Sequence, residues 1–460
     1  MLFHRRHLAG LLVPTLALAG CATYRPQPLD PTAELAALAR RDLAVVVEHP
    51  TPLGPVDLGD GLDERELVGV ALCLNPDLAE RRAGLGLAEA ALIEAGLWPN
   101  PEVGVTALGG TPGFSLDLDL LQPLLRPGER KAKREVAEAD QRAAVAELAA
   151  AEWTLVAEVR STRMDLLAAM ALQGAAEASA RIATQASQAV TAQRALGETN
   201  DLDVAQATWE SAEAMSAVRS AQAEVERGRQ QLNRLLGLPP QARLTLTGAG
   251  EPLAWTPPSL LPTENLGAAV LDGRWELTVA KERYVRADAA LRVALAKQYP
   301  SLRLGPALSH DDTGTGIGVG ASLDLPIFDR NQGGIRAAEA ERDQALAAYR
   351  GLLHRLTADA AAAQADLERA SAQLAIRDQD LQPAATKAMA LADRALAAHD
   401  WDLSTWLTMR RRWIESQRSR LDAVLAAARA GIALDAALGR APHAPARPTE
   451  NRQSTESHTP

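Results

Sequence analysis

Aromatic residues are scarce in this chain. Phe, Trp and Tyr together make up 3% of its 460 residues, which argues against a bulky aromatic core. Alanine is abundant instead, and 23% of positions are charged, a profile that suits long helices packed closely. Cysteine is scarcer still. Cys21 and Cys73 are the only two, too few for a cysteine metal cluster. The net charge of −10 argues against a nucleic-acid-binding surface. Beyond the N-terminal segment no run is apolar enough for a membrane-spanning helix. If the chain crosses a membrane, it does so with strands.

What the chain has is a duplication. WPNPEVGVTALG, beginning at Trp98, and FSLDLDLLQPLL, beginning at Phe114, precede a long proline-free stretch. KQYPSLRLGPALS, beginning at Lys297, and GIGVGASLDLPIF, beginning at Gly316, precede another. The two copies close alike, LNRLLG at Gly237 and LDAALG at Gly439. Each unit reads strand, strand, long helix, return helix.

Phe114–Leu120 and Ile317–Leu325 alternate apolar and polar residues, and Glu102–Leu108 and Leu302–Leu308 are weaker partners. Alternation puts one strand face against apolar surroundings and the other against water or a polar lining. A soluble half-buried sheet gives the same pattern. Here, though, each hairpin sits between very long helices with no other sheet to pack on, and its strands fit the roughly 9–11 residues of a tilted membrane strand. Four strands cannot close a membrane barrel, whose smallest bacterial form has about eight. Three chains would supply twelve.

From Glu129 to Leu196 there is no proline and Gly174 is the single glycine, enough for a helix on the order of 100 Å. Val136, Ala139, Ala143, Ala146, Ala150, Trp153 and Ala157 form a small-residue seam at three-four spacing. The second long helix runs from Asn331 towards Ala398, with Pro383 as an expected kink. Both turn at short polar loops, Gly197–Asp201 and His399–Asp402, where Asn200 and Asp402 are candidate N-caps. As chemistry these loops also read simply as solvated turns. Trp401 and Trp406 read as partner contacts or as packing near the tip.

The N-terminus carries an address. His4-Arg5-Arg6-His7 precedes an apolar run ending in Leu18-Ala19-Gly20-Cys21, which resembles a bacterial lipobox. That resemblance implies cleavage before Cys21 and acylation of its thiol. Ala22, in place of Asp, implies outer-membrane sorting. Cys73 is then without a partner and is expected to be buried in the apolar stretch Val68–Leu74.

Catalytic chemistry is thin. The eight histidines are scattered, none at a convincing metal-ligand spacing, and no nucleophile–base or paired-carboxylate arrangement stands out. Gly314–Gly320 lacks the Lys-Ser/Thr of a phosphate loop. No enzyme, cofactor or resident metal is expected.

The set of marks in register resembles the TolC-like outer-membrane efflux proteins. They are Pro101 and Pro300 before each first strand, Leu-Pro-Ile-Phe-Asp at Leu325–Asp329, and Gly-Glu-x-x-x-Leu-Asp-Val at Gly197–Val204. Gln122-Pro123 with Pro127-Gly128-Glu129-Arg130, and Phe328–Gly333, look most like the heavy-metal branch. The resemblance implies a mainly α fold with membrane strands. A tandem-duplicated long-helix α-barrel would carry four strands per chain into a trimeric twelve-stranded outer-membrane β-barrel. It further implies a passive exit duct, a homotrimer in outer-membrane lipid, working with a periplasmic adaptor and an inner-membrane resistance-nodulation-division pump, its cargo heavy-metal cations. Drug efflux, type I secretion and a non-channel coiled-coil lipoprotein compete with that reading. The expected division is signal peptide 1–20, lipid-anchored extended arm 21–61, first repeat 62–238, linker 239–262, second repeat 263–439 and disordered tail 440–460. Strands are expected at about 102–121 and 302–325, and long helices at about 129–236 and 330–438. In many members acidic side chains narrow the periplasmic end. Here His399 replaces the turn glycine and the matching positions are Thr405 and Thr408. Asp400 and Asp402, with Gly197, Glu198, Asp201 and Asp203 on the first turn, are therefore the candidates for the aperture and the adaptor contact.

Overall fold

The computed structural model describes residues 24–43, 51–110, 113–249, 255–398, 400–401 and 403–440. Cys21, His399, Asp402 and the tail from 441 lie outside these residues. Residues up to Arg41 form one unit and the remainder another. The described part of the first holds α1 (Pro31–Ala39), with no buried residue. A helix stands here in the segment expected to be extended because Asp30-Pro31 is a start signal. Asp30 Oδ1 accepts from the Thr32 and Ala33 amides, and proline suits the first helical position.

The second unit runs twice through one series. The first pass is α2 (Glu64–Leu74), α3 (Pro76–Gly96), β1 (Glu102–Gly110), β2 (Gly113–Leu124), α4 (Glu129–Ala195) and α5 (Asp201–Leu235). The second is α6 (Thr263–Gly273), α7 (Trp275–Ala296), β3 (Ser301–Asp311), β4 (Gly314–Asp324), α8 (Gln332–Ile376), a π turn at Arg377–Leu381, α9 (Gln382–Ala397) and α10 (Leu403–Leu438). α4 has 67 residues, about 100 Å of helix. The helix pairs ahead of each hairpin extend the repeat beyond the strand motif.

The core repeats as well. Leu67, Leu78, Leu155, Val159, Leu166, Leu232 and Leu236 are buried together in the first half. Leu266, Leu277, Leu356, Ala360, Leu367, Leu434 and Leu438 cluster in the second. Each such leucine contributes about 1.5–3 kcal/mol by leaving water. The return helices end on left-handed glycines, Gly237 (φ 68°) and Gly439 (φ 67°). A Cβ on Gly237 would lie 2.2 Å from the Leu74 carbonyl oxygen, and one on Gly439 2.3 Å from that of Gly273. Each glycine lets a return helix end against the short helix that opens its own repeat.

The strands form one antiparallel sheet in the order β1-β2-β3-β4. The two hairpins join through β2 and β3, with Leu118 opposite Leu308 and Asp117 opposite Ser309. Pairing lapses at Leu120 and Leu121, because Pro306 has no amide to donate. Gly305 lets the backbones approach there, since a Cβ would collide with the Leu120 carbonyl.

Three further expectations need correction. The alanine seam holds at Ala139, Ala143 and Ala146, but the fully buried stripe then moves to Leu155, Val159, Thr162 and Leu166. The straight helix drifts relative to a seven-residue repeat, and its partners change from α7 to α2 and α10. The kink expected at Pro383 is taken up just before it by the π turn, where the ring and its missing N–H disturb the regular ladder. Cys73 is exposed rather than buried. Val68, Val70 and Ala71 take the inward positions of α2, which turns Cys73 outward.

Candidate functional site

The sheet has two unlike faces. Residues directly opposite across an antiparallel pair share a face. One face therefore carries Val103, Val105, Leu116, Leu118, Leu304, Leu308, Ile317 and Val319. Ile317 is 86% exposed and Val319 81%, so the chain itself leaves this face bare. The other carries Thr106, Asp117, Asp119, Ser309 and Ser322 among glycines 104, 316, 318 and 320. Arg303 and Glu102 pair on it at 3.1 Å. β1 and β4 are edges, each with a row of unpaired backbone groups. Among the described residues no helix is long and apolar enough to cross a membrane.

Far along the helices lie the two tips. Gly197 (φ 80°) ends α4 and lets the chain turn. Asn200 caps α5 as expected: its Oδ1 accepts from the Asp203 amide at 2.9 Å, and Asp203 reaches back to the Asn200 amide, a reciprocal capping box. Thr199 also donates to Asp203 at 2.6 Å. Arg194 donates to Asp201 at 2.6 Å, and that hydrogen bond holds the Asp201 carboxyl below its ordinary range. Asp201 and Asp203 thus both take part in shaping the turn. Glu198 is exposed and makes no ion pair among the described residues.

At the second tip Asp400 is exposed, its amide bonded to the Ala395 carbonyl. Thr405 and Thr408 are exposed on the first turns of α10. Trp406 is buried with Met389, Ala392 and Leu407. Its indole donates to Asp393 at 2.9 Å, and the Arg410 guanidinium lies 5.3 Å from its ring centre. Packing, rather than a partner contact, accounts for this tryptophan.

Sequence reading missed how the two tips meet. Arg411 of α10 pairs with Glu210 of α5 at 3.1 Å, beside a cleft of about 520 Å³ lined by Ile182, Glu213, Trp406, Arg410 and Ile414. No local pattern announces a contact between residues so far apart in the chain. A larger charge cluster ties the repeats together nearer the centre. Arg160 of α4 reaches Glu64 of α2 at 2.8 Å and Asp435 of α10 at 3.1 Å, all at most one-third exposed. Desolvation raises the Asp435 pKa, and Arg160 offsets part of that. Among the described residues no group of three or more His, Cys, Asp or Glu is placed to hold a metal ion.

Residues 67–238 match the family model described as "Outer membrane efflux protein". The cobalt-zinc-cadmium resistance protein CzcC of Cupriavidus metallidurans is 26% identical over 85% of this chain and 93% of its own. The pyoverdine export outer membrane protein OpmQ of Pseudomonas putida is 31% identical, over 45% of this chain and 44% of its own. The solved outer-membrane channel OprN superposes with a TM-score of 0.70 at 23% identity, over 82% of this chain and 90% of that one. At that identity the structural likeness establishes the fold.

Proposed function

We propose that this chain, whose residues 67–238 match the outer membrane efflux protein family, is the passive exit duct of a tripartite efflux system. The observation that carries this is the sheet. It has a bare apolar face, a polar opposite face, two open edges and about 100 Å of helix attached. Open edges are not tolerated in lipid, so the sheet closes with those of other chains. Three chains of four strands make a homotrimeric barrel with its apolar face to the lipid and its polar face to the lumen. Cys21, acylated, adds an anchor in the outer membrane.

The helical tips face the periplasm and receive an adaptor, and the energy comes from an inner-membrane resistance-nodulation-division pump. The first tip offers Gly197, Glu198, Asp201 and Asp203 and the second His399, Asp400, Asp402, Thr405 and Thr408. Glu198, Asp400 and Asp402 supply charge at the mouth, beside Asp201 and Asp203, which also shape the first turn. A ring of carboxylates attracts cations and suits a cation-passing aperture. Heavy-metal cations are the proposed cargo, because CzcC is matched over nearly its whole length and OpmQ over less than half.

The test is single-channel conductance in a planar bilayer, with the mass of the detergent-purified protein measured first. A trimer with small cation-selective conductance is expected, and Asp400→Asn with Asp402→Asn weakens the cation preference. A monomer without conductance rules out the duct. Deletion of the gene followed by growth on cobalt, zinc or cadmium tests the cargo, with unchanged tolerance counting against metals.

A further inference from the structure

The cleft beside the Arg411–Glu210 pair is walled by three helices. α4 contributes Ile182, α5 contributes Glu213, and α10 contributes Trp406, Leu407, Arg410 and Ile414. Its volume of about 520 Å³ falls within the range of small-molecule sites. Two turns of a helix about 10 Å across would already overfill it.

Arg410 stands half-buried on this wall. Its guanidinium lies over the Trp406 ring, 5.3 Å from the centre. Among the described residues it donates no hydrogen bond and forms no ion pair. Desolvation pushes its pKa down, and the Asp393 charge offsets part of that through space. The Asp393 carboxylate is itself engaged by the Trp406 indole. A guanidinium carries five donors, and holding them out of water with no acceptor is costly. The fold does not demand this arrangement. The return helices align without a gap from the tips to Gly237 and Gly439, and α5 has Val204 and Thr208 where α10 has Trp406 and Arg410.

The other charges of the cleft are already answered. Glu210 is paired with Arg411. Glu213, Arg412 and Glu415 are exposed at the rim, where water and salt screen them. Arg410 is the half-buried charge left to be met, and Ile182, Leu407 and Ile414 give it apolar surroundings.

We infer that this cleft binds a small amphipathic anion. A carboxylate, sulfonate or phosphate ester sits on the Arg410 guanidinium, which suits planar oxyanions. An apolar body rests on Ile182, Leu407 and Ile414. Such a ligand touches both repeats, so its presence ties α4 and α5 to α10 as the Arg411–Glu210 pair does. The site is separate from the aperture, and binding there does not require that the chain conduct.

The test uses the full-length protein in detergent, with 4-phenylbutyrate as the probe and uncharged 4-phenylbutyramide as its control. Equilibrium dialysis against protein-free micelles measures binding, and amide exchange locates it. Saturable binding of one molecule per chain is expected, with the amide at least tenfold weaker. Exchange is expected to slow in residues 405–415 and around Ile182. Arg410→Gln is expected to weaken the acid at least tenfold while the amide and the helicity by circular dichroism stay unchanged. Ile182→Trp fills the cleft, keeps Arg410 and is expected to abolish binding. Equal binding of acid and amide overturns the anion assignment. Binding that survives both substitutions, or protection elsewhere, overturns the site. Protection by polyglutamate but not by 4-phenylbutyrate assigns the cleft to an acidic protein segment and overturns the small ligand. None of these outcomes touches the duct, which the bilayer recording tests by itself.

Discussion

In the first repeat the long helix runs unbroken for 67 residues, and in the second a five-residue π turn interrupts it. The first tip is fixed by a reciprocal capping box and an Arg194–Asp201 ion pair. In the second, Trp406 and its neighbours form a small core. α3 is bare where α7 is buried. Yet the core leucines and the terminal glycines match position for position. Packing has kept what both halves need to stand upright, and the differences gather where each half meets something else.

The sharpest asymmetry is Arg160, since the matching position in α8 is Ala361. Arg160 pairs with both Glu64 and Asp435, joining α2, α4 and α10. Arg160→Ala strands two partly buried carboxylates and is expected to cost about 3 kcal/mol, read by chemical denaturation. A loss under about 1 kcal/mol would mean that solvent already screens the cluster. The same site gives a pH signature. The Asp435 pKa is raised above its ordinary 3.8, chiefly by desolvation. The folded state then holds this proton more tightly than the unfolded chain. Its contribution is present below 3.8 and is lost as pH rises through the folded value. Asp435→Asn is expected to remove that part of the stability profile. An unchanged slope across the acid range would place the titration elsewhere.

Gly237 and Gly439 test whether the halves are equivalent where they look so. Alanine at either incurs about 1–2 kcal/mol for the left-handed backbone alone, and a collision with the Leu74 or Gly273 carbonyl adds to it. Both variants are expected to lower the melting temperature by similar amounts. A shift confined to one would show that one repeat carries the stability of both.

Much of this was legible beforehand, for physical reasons. Proline-free alanine-rich stretches have few alternatives to long helices, and Phe114–Leu120 alternates without a break. The matched glycines, Gly237 and Gly439, marked where the return helices end. The sites were harder. Asp201 and Asp203 read as candidate mouth carboxylates, and composition did not reveal that they also form a capping box with Asn200 and an ion pair with Arg194. Cys73 read as buried because an apolar run on a helix does not say which of its residues faces inward.

The tips differ in how they are held. Asn200→Ala removes the side chain that accepts from the Asp203 amide and is expected to cost about 1 kcal/mol. The change should appear as faster amide exchange in the first turn of α5. Unchanged protection would mean that Thr199 and Asp203 hold the turn without the cap.

The smallest expected effect lies at the π turn. Asp378 accepts from Arg420 of α10 at 2.6 Å, in a pair more than a quarter exposed on both sides. Such pairs contribute about 0.2–1 kcal/mol, so Asp378→Ala barely moves global stability. Its consequence is local. The π turn breaks the regular i→i+4 ladder, and Pro383 behind it offers no amide to restore one. The segment from Arg377 to Ala397 therefore leans on contacts with α10, whereas the corresponding end of α4 keeps an unbroken ladder of its own. Hydrogen exchange is expected to be faster through Arg377–Ala397 than through the last turns of α4, and faster still in Asp378→Ala. Equal exchange in both repeats would show that the π turn accommodates Pro383 without loosening the rod. The asymmetry between the long helices would then be one of sequence alone.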